Sequence, residues 1–193
     1  MRLAIVALLV TLAFAPSAGA WKTTGRQWRT GTIRYANIAP DYEWPLRQAV
    51  AAWKGSGARV SFVRVPRAQA DLVVGARLEV GDKREAGLAQ TYSVNRWITS
   101  ATVFIRSGTS QYAAAQILAH ELGHVVGLDH EDRACVTMNS TLYVDHPFRF
   151  AAPPAGTWRC GLVTKDDAAA AAHLYGGTAH GPPREFCAAA PSG

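Results

Sequence analysis

The sequence predicts an α+β domain, a mixed, twisted β-sheet packed on helices, and three observations carry that prediction. Short runs rich in β-branched residues recur through the first half of the chain. Two segments space their apolar residues as helices do, and a third opens with a helix-capping signature. The resulting order is strand, helix, strands, long helix, irregular stretch, helix, which is the α+β pattern.

Trp21 to Gly31 reads as a polar lead-in, followed by a short strand from Thr32 to Tyr35. Asp41 offers a helix cap, and Leu46, Ala49, Val50 and Trp53 define the apolar face of the helix behind it. Gly55 and Gly57 end that helix. Val60 to Val65 is a strand closed by Pro66, and Leu72 to Val80 is another. Ile98 to Ile105 is a third, with Ala101, Val103 and Ile105 on one face and Thr102 and Phe104 on the other. The polar stretch from Gly81 to Asn95 reads as a surface loop. Thr109 or Ser110 caps the long helix, which runs through Ile117, Leu118 and Val125 to Gly127. Between His130 and Trp158, Pro147, Pro153, Pro154 and Gly156 argue for irregular structure. Thr164-Lys165-Asp166-Asp167 resembles a capping box, opening a C-terminal helix that ends at Tyr175 before Gly176 and Gly177.

The 193 residues suffice for one domain with short extensions. Arg2, an apolar run from Leu3 to Ala15 and the small residues Ala18-Gly19-Ala20 form a secretory signal pattern with cleavage before Trp21. The run is too short for a span of about 20 residues. This divides the chain into a signal peptide (1–20), a folded domain (21–176) and a tail (177–193), and it places the mature protein outside the cell or in a periplasm. The net charge of +6 comes from scattered arginines rather than a basic stripe, and no nucleic-acid motif accompanies them. Three cysteines, Cys135, Cys160 and Cys187, suit one disulfide in an oxidising compartment, and the sequence leaves all three pairings open.

The chemistry is concentrated in His120-Glu121-Leu122-Gly123-His124-Val125-Val126-Gly127-Leu128-Asp129-His130. On a helix, His120 and His124 lie four apart on one face and reach the same ion. Gly127 breaks the helix so that His130 can return to that point. Three imidazoles with a fourth position open to water is the arrangement of a catalytic zinc site, with Glu121 beside it as general base. By composition alone, a match this complete arises with a chance of order one in ten thousand. Met138 follows eight residues after His130 and is the only methionine besides Met1. Its thioether would give the site a polarisable apolar floor.

The extended motif followed by a methionine turn resembles the metzincins, and within them the matrixins, the matrix-metalloproteinase-like catalytic domains. Ala70-Asp71-Leu72-Val73-Val74, Leu118-Ala119 and Leu162-Val163-Thr164-Lys165-Asp166-Asp167 with Leu174-Tyr175-Gly176 extend the resemblance over about residues 30 to 176. It implies a zinc endopeptidase with His120, His124 and His130 as ligands, Glu121 as base, Met138 beneath the metal, and an extended peptide or protein as substrate. The substrate would pair with an edge strand, assigned here to Ile98–Ile105. Tyr143 would line the specificity pocket in a wall from Met138 to Tyr143, and a Cys135–Cys160 bond flanking that wall would stiffen it by about 3 kcal/mol.

The departures are specific. No histidine precedes His120, so an upstream structural zinc cannot exist in its usual form, and one catalytic ion is expected. Acidic residues between Asp71 and Thr109 are few, which argues against calcium sites, and no cysteine precedes Cys135 to serve an inhibitory propeptide. The expectation is a secreted monomer with no nucleic-acid partner and no membrane association after signal cleavage. The competing reading is a secreted zinc-binding protein with an adhesion or partner-binding role. Retention of Glu121 separates the two.

Overall fold

A computed structural model describes residues 21–81, 85–132, 137–140 and 162–180. The signal segment, all three cysteines, Tyr143 and His146 lie outside those residues. The chain runs β1 (Lys22–Thr23), β2 (Thr32–Asn37), α1 (Glu43–Lys54), β3 (Ser61–Arg64), β4 (Leu72–Arg77), β5 (Gly87–Val94), β6 (Trp97–Arg106), α2 (Gln111–Val126), β7 (Leu128–Asp129) and α3 (Lys165–Tyr175). It is an α+β domain built on a five-stranded mixed sheet of order β3-β2-β4-β6-β5. The first four strands of that order are parallel, and β5 returns antiparallel to β6.

Alternation sets the inner face. Ile33 and Tyr35 on β2, Leu72 and Val74 on β4, and Ala101, Val103 and Ile105 on β6 are buried, while Arg34 and Arg77 are exposed. Leu46, Ala49 and Trp53 of α1 and Ile117, Leu118, Leu122 and Val125 of α2 join the same core. Helix α2 is buried almost all round from Ala114 onward, which is why its residues show no polar stripe. Among the described residues, no helix is long and apolar enough to cross a membrane.

Several sequence expectations need correction. Asp41 does not cap α1. A tight turn, Pro40–Tyr42, precedes the helix, and Tyr42 occupies the cap position without a side-chain bond. The strand expected to reach Val80 ends at Arg77, where pairing with β6 stops. Ser110 occupies the cap of α2 without a side-chain bond, and the Thr109 hydroxyl donates to the Arg106 carbonyl at 2.7 Å.

The larger correction concerns residues 81–95. They contain β5, which pairs with β6 along its whole length. Its faces do not sort by polarity: Gln90, Tyr92 and Val94 are exposed while Gly87, Ala89, Thr91 and Ser93 are half-buried, so no apolar alternation marks the segment and it looked like a loop. Consequently Ile98–Ile105 is internal, and β5 is the edge strand on that side of the sheet. The lead-in is also structured. β1 pairs with β7, setting Lys22 opposite Asp129 and Thr23 opposite Leu128. The first residues beyond Tyr175 continue as a strap, with Thr178 and His180 amides donating to the Gly57 and Ser56 carbonyls.

Candidate metal centre

Helix α2 carries His120 and His124 on consecutive turns, with Glu121 directly after His120, and the fold then reverses at Gly127. This glycine has φ +108°, and a Cβ there would lie 2.2 Å from the Arg26 carbonyl oxygen. Only glycine combines that backbone with that approach. Past it, β7 pairs with β1, and the Asp129 carboxylate accepts the His130 amide at 2.8 Å. Asp129 is exposed and fixes the backbone of His130 rather than its ring.

The three rings converge through Nε2. His124 Nε2 lies 3.1 Å from both His120 Nε2 and His130 Nε2, and the remaining edge is 3.3 Å. His120 Nδ1 faces the Thr137 carbonyl at 2.7 Å, and His124 Nδ1 faces the Leu128 carbonyl at 3.1 Å. A ring nitrogen against a carbonyl must carry the proton, so these two Nε2 atoms present lone pairs. Lone pairs pointed at one another at this spacing repel unless a cation sits among them. Ligands at 2.0–2.1 Å in a tetrahedron stand about 3.3–3.4 Å apart. The observed triangle is one face of such a tetrahedron, slightly contracted. This is the one histidine–carboxylate–cysteine group among the described residues placed to hold a metal ion.

Burial favours the neutral rings that ligation requires. It pushes His120 down from 6.5 to about 3, helped by the neighbouring His124, and lowers His124 as well. Glu121 moves the other way. Burial raises its carboxyl to about 8, a backbone hydrogen bond from Ala89 pulls it back, and the Glu85 charge adds to the rise. Glu121 and the three histidines line one cleft of about 610 Å³, whose far wall is Gly87 to Ala89 of β5.

Met138 is buried, and its sulfur packs on the backbone of α2 at Gly123, where a Cβ would stand 2.2 Å from Sδ. Glycine between the two histidines is therefore a matter of space. The turn around Met138 is held at several points: the Glu131 amide donates to the Met138 carbonyl at 2.9 Å, and Asn139 Nδ2 donates to the Glu131 carbonyl at 2.6 Å. Asp167 anchors it from α3. Its carboxylate accepts the Thr137 amide at 2.9 Å and the Met138 amide at 3.3 Å, while also closing the capping box with Thr164. The capping box was visible in the sequence, but this second task of Asp167 was not.

Aromatic donors brace the helix behind the ligands. Trp53 Nε1 donates to the Ala119 carbonyl and Trp28 Nε1 to the Val125 carbonyl, both at 2.8 Å. The Tyr175 hydroxyl donates to the Val126 carbonyl at 2.7 Å and accepts the Trp28 amide. His173 stacks on Trp21 at 4.9 Å and takes no part in the cluster. Tyr143, Cys135 and Cys160 lie outside the described residues.

No family model matches the chain. Matrix metalloproteinase-20 from Homo sapiens is 24% identical over 174 residues, covering 83% of this chain and 33% of the relative. The chain thus spans about a third of the length of that curated relative. The distant similarity and the three-histidine site together suggest a zinc peptidase.

Proposed function

We propose that the chain is a secreted zinc-dependent endopeptidase of matrixin type. The observation that carries this is the convergence of three Nε2 atoms at tetrahedral spacing beside a buried carboxylate, in a cleft walled by the free edge of a sheet. The Thr137 and Leu128 carbonyls hold His120 and His124 in the tautomer that leaves Nε2 free. Zinc bound there would polarise the scissile carbonyl and lower the pKa of its water to about 7. Glu121 is placed to act as the general base for an attacking water and to pass the proton on to the departing amine.

The substrate lies extended along β5, pairing through the backbone, so side-chain pockets rather than backbone contacts set selectivity. Tyr143 as a pocket residue, the Cys135–Cys160 bond, export by the 1–20 segment and a monomeric state belong to the same proposal. The decisive experiment is digestion of denatured casein by the 21–193 chain beside Glu121→Ala, with zinc measured in both. Cutting by the native chain alone, with equal zinc, supports the reading. Zinc in both and cutting by neither would point to the metal-binding, partner-recruiting alternative.

A further inference from the structure

Gly87 opens β5 with extended backbone rather than a left-handed conformation. Its glycine identity therefore answers to space and not to φ. A Cβ at this position would stand 2.5 Å from Ile117 Cγ2, 2.6 Å from Glu121 Oε1 and 2.9 Å from Glu121 Cγ. All three are far inside van der Waals contact, and they do not yield equally. Ile117 is β-branched within a helix, where one χ1 rotamer is strongly preferred, so its Cγ2 is fixed by the helix itself. Glu121 Cγ is only one bond from Cβ and moves little without changing χ1. The remaining freedom is rotation of the carboxylate or retreat of the strand, and either one shifts Glu121 relative to the histidines.

We infer that Gly87 is a positioning residue for Glu121: the head of β5 lacks a side chain so that α2 can press the Glu121 carboxylate against the edge strand. Two residues along, the Ala89 amide hydrogen-bonds that carboxylate and fixes its rotation. The edge strand thus has two tasks, pairing with substrate and seating the general base. This inference rests on the peptidase reading for its consequence in rate, but not for its geometry.

The test uses the zinc-loaded 21–193 chain and fluorescein-labelled, heat-denatured casein. Gly87→Ala should retain stoichiometric zinc and lower kcat by roughly 100-fold, the cost of misplacing a catalytic group by about 1 Å, with little change in KM. Adding Ile117→Ala removes the rigid wall and should restore about tenfold or more of that loss. A merely structural role would lower stability and zinc content together and would not be rescued by a second truncation. Unchanged kcat in folded, zinc-loaded Gly87→Ala overturns the inference. A second readout is independent of activity. In amide NMR spectra of the native chain, Glu121→Gln should move the Ala89 resonance more than any other β5 amide, and Gly87→Ala should move it too. An unmoved Ala89 amide overturns the inference even if Gly87→Ala fails to fold. If the native chain leaves casein intact while Ala89 responds, the peptidase reading fails and the seating of Glu121 by β5 stands.

Discussion

Removing the Asp167 carboxylate should loosen the metal site although the residue touches no ligand ring. It is buried, with 1% exposure, and accepts the amides of Thr137 and Met138 from the turn and the Thr164 hydroxyl from its own helix cap. In Asp167→Ala, the Thr137 and Met138 amides lose their acceptor at about 1–2 kcal/mol each, and the capping box loses its reciprocal bond to the Thr164 amide at about 1 kcal/mol. The total, roughly 4 kcal/mol, corresponds to a fall of about 8–16 °C in Tm for a chain of this size. The effect reaches the metal because Thr137, freed at its amide, also supplies the carbonyl that orients His120. Loss of such an orienting bond typically costs about 10- to 100-fold in metal affinity. Chelator competition for zinc and thermal unfolding of the metal-free chain measure the two effects separately. Asp167→Asn keeps one acceptor oxygen and should fall between native and alanine in both. A folded Asp167→Ala that binds zinc as the native chain does would refute this coupling of α3 to the ligands.

The metal-free chain should be sensitive to pH on both sides. Stability contributed by neutral Glu121 is fully present below its unfolded value near 4.5 and is lost as pH rises toward about 8, so Glu121→Gln should flatten the alkaline fall in Tm. The neutral His120 ring contributes stability that is present above 6.5 and lost as pH falls toward about 3, and His120→Gln should flatten that acid limb. Gly123→Ala, which in an open helix would stabilise by about 1 kcal/mol, should instead destabilise by about 1–2 kcal/mol, because its Cβ meets the Met138 sulfur. Urea unfolding gives the sign directly. Tyr175→Phe removes a donor from the Val126 carbonyl and an acceptor from the Trp28 amide, and should cost about 1–2 kcal/mol in the same assay.

Much of this protein was legible in its sequence because the informative signals are local. Residues four apart on a helix share a face whatever surrounds them, so His120 and His124 could be paired before any fold was known. The breaker at Gly127, the alternation along Ile98–Ile105 and the reciprocal cap of Thr164 and Asp167 are likewise short-range facts of backbone geometry. The tertiary structure decided what depends on distant neighbours. Whether 87–94 is a strand rests on the ladder β6 offers it, since its half-buried positions Gly87, Ala89, Thr91 and Ser93 are small or polar and leave no apolar alternation to read. Reassigning the edge from Ile98–Ile105 to β5 followed from that pairing alone. The tautomers of His120 and His124 come from carbonyls at Thr137 and Leu128, and the anchoring of Met138 comes from a carboxylate on α3 about 30 residues away. Gly87 shows the limit most plainly: its lack of a side chain acquires meaning only when Ile117 and Glu121, which no local rule connects to it, are packed against the same point in space.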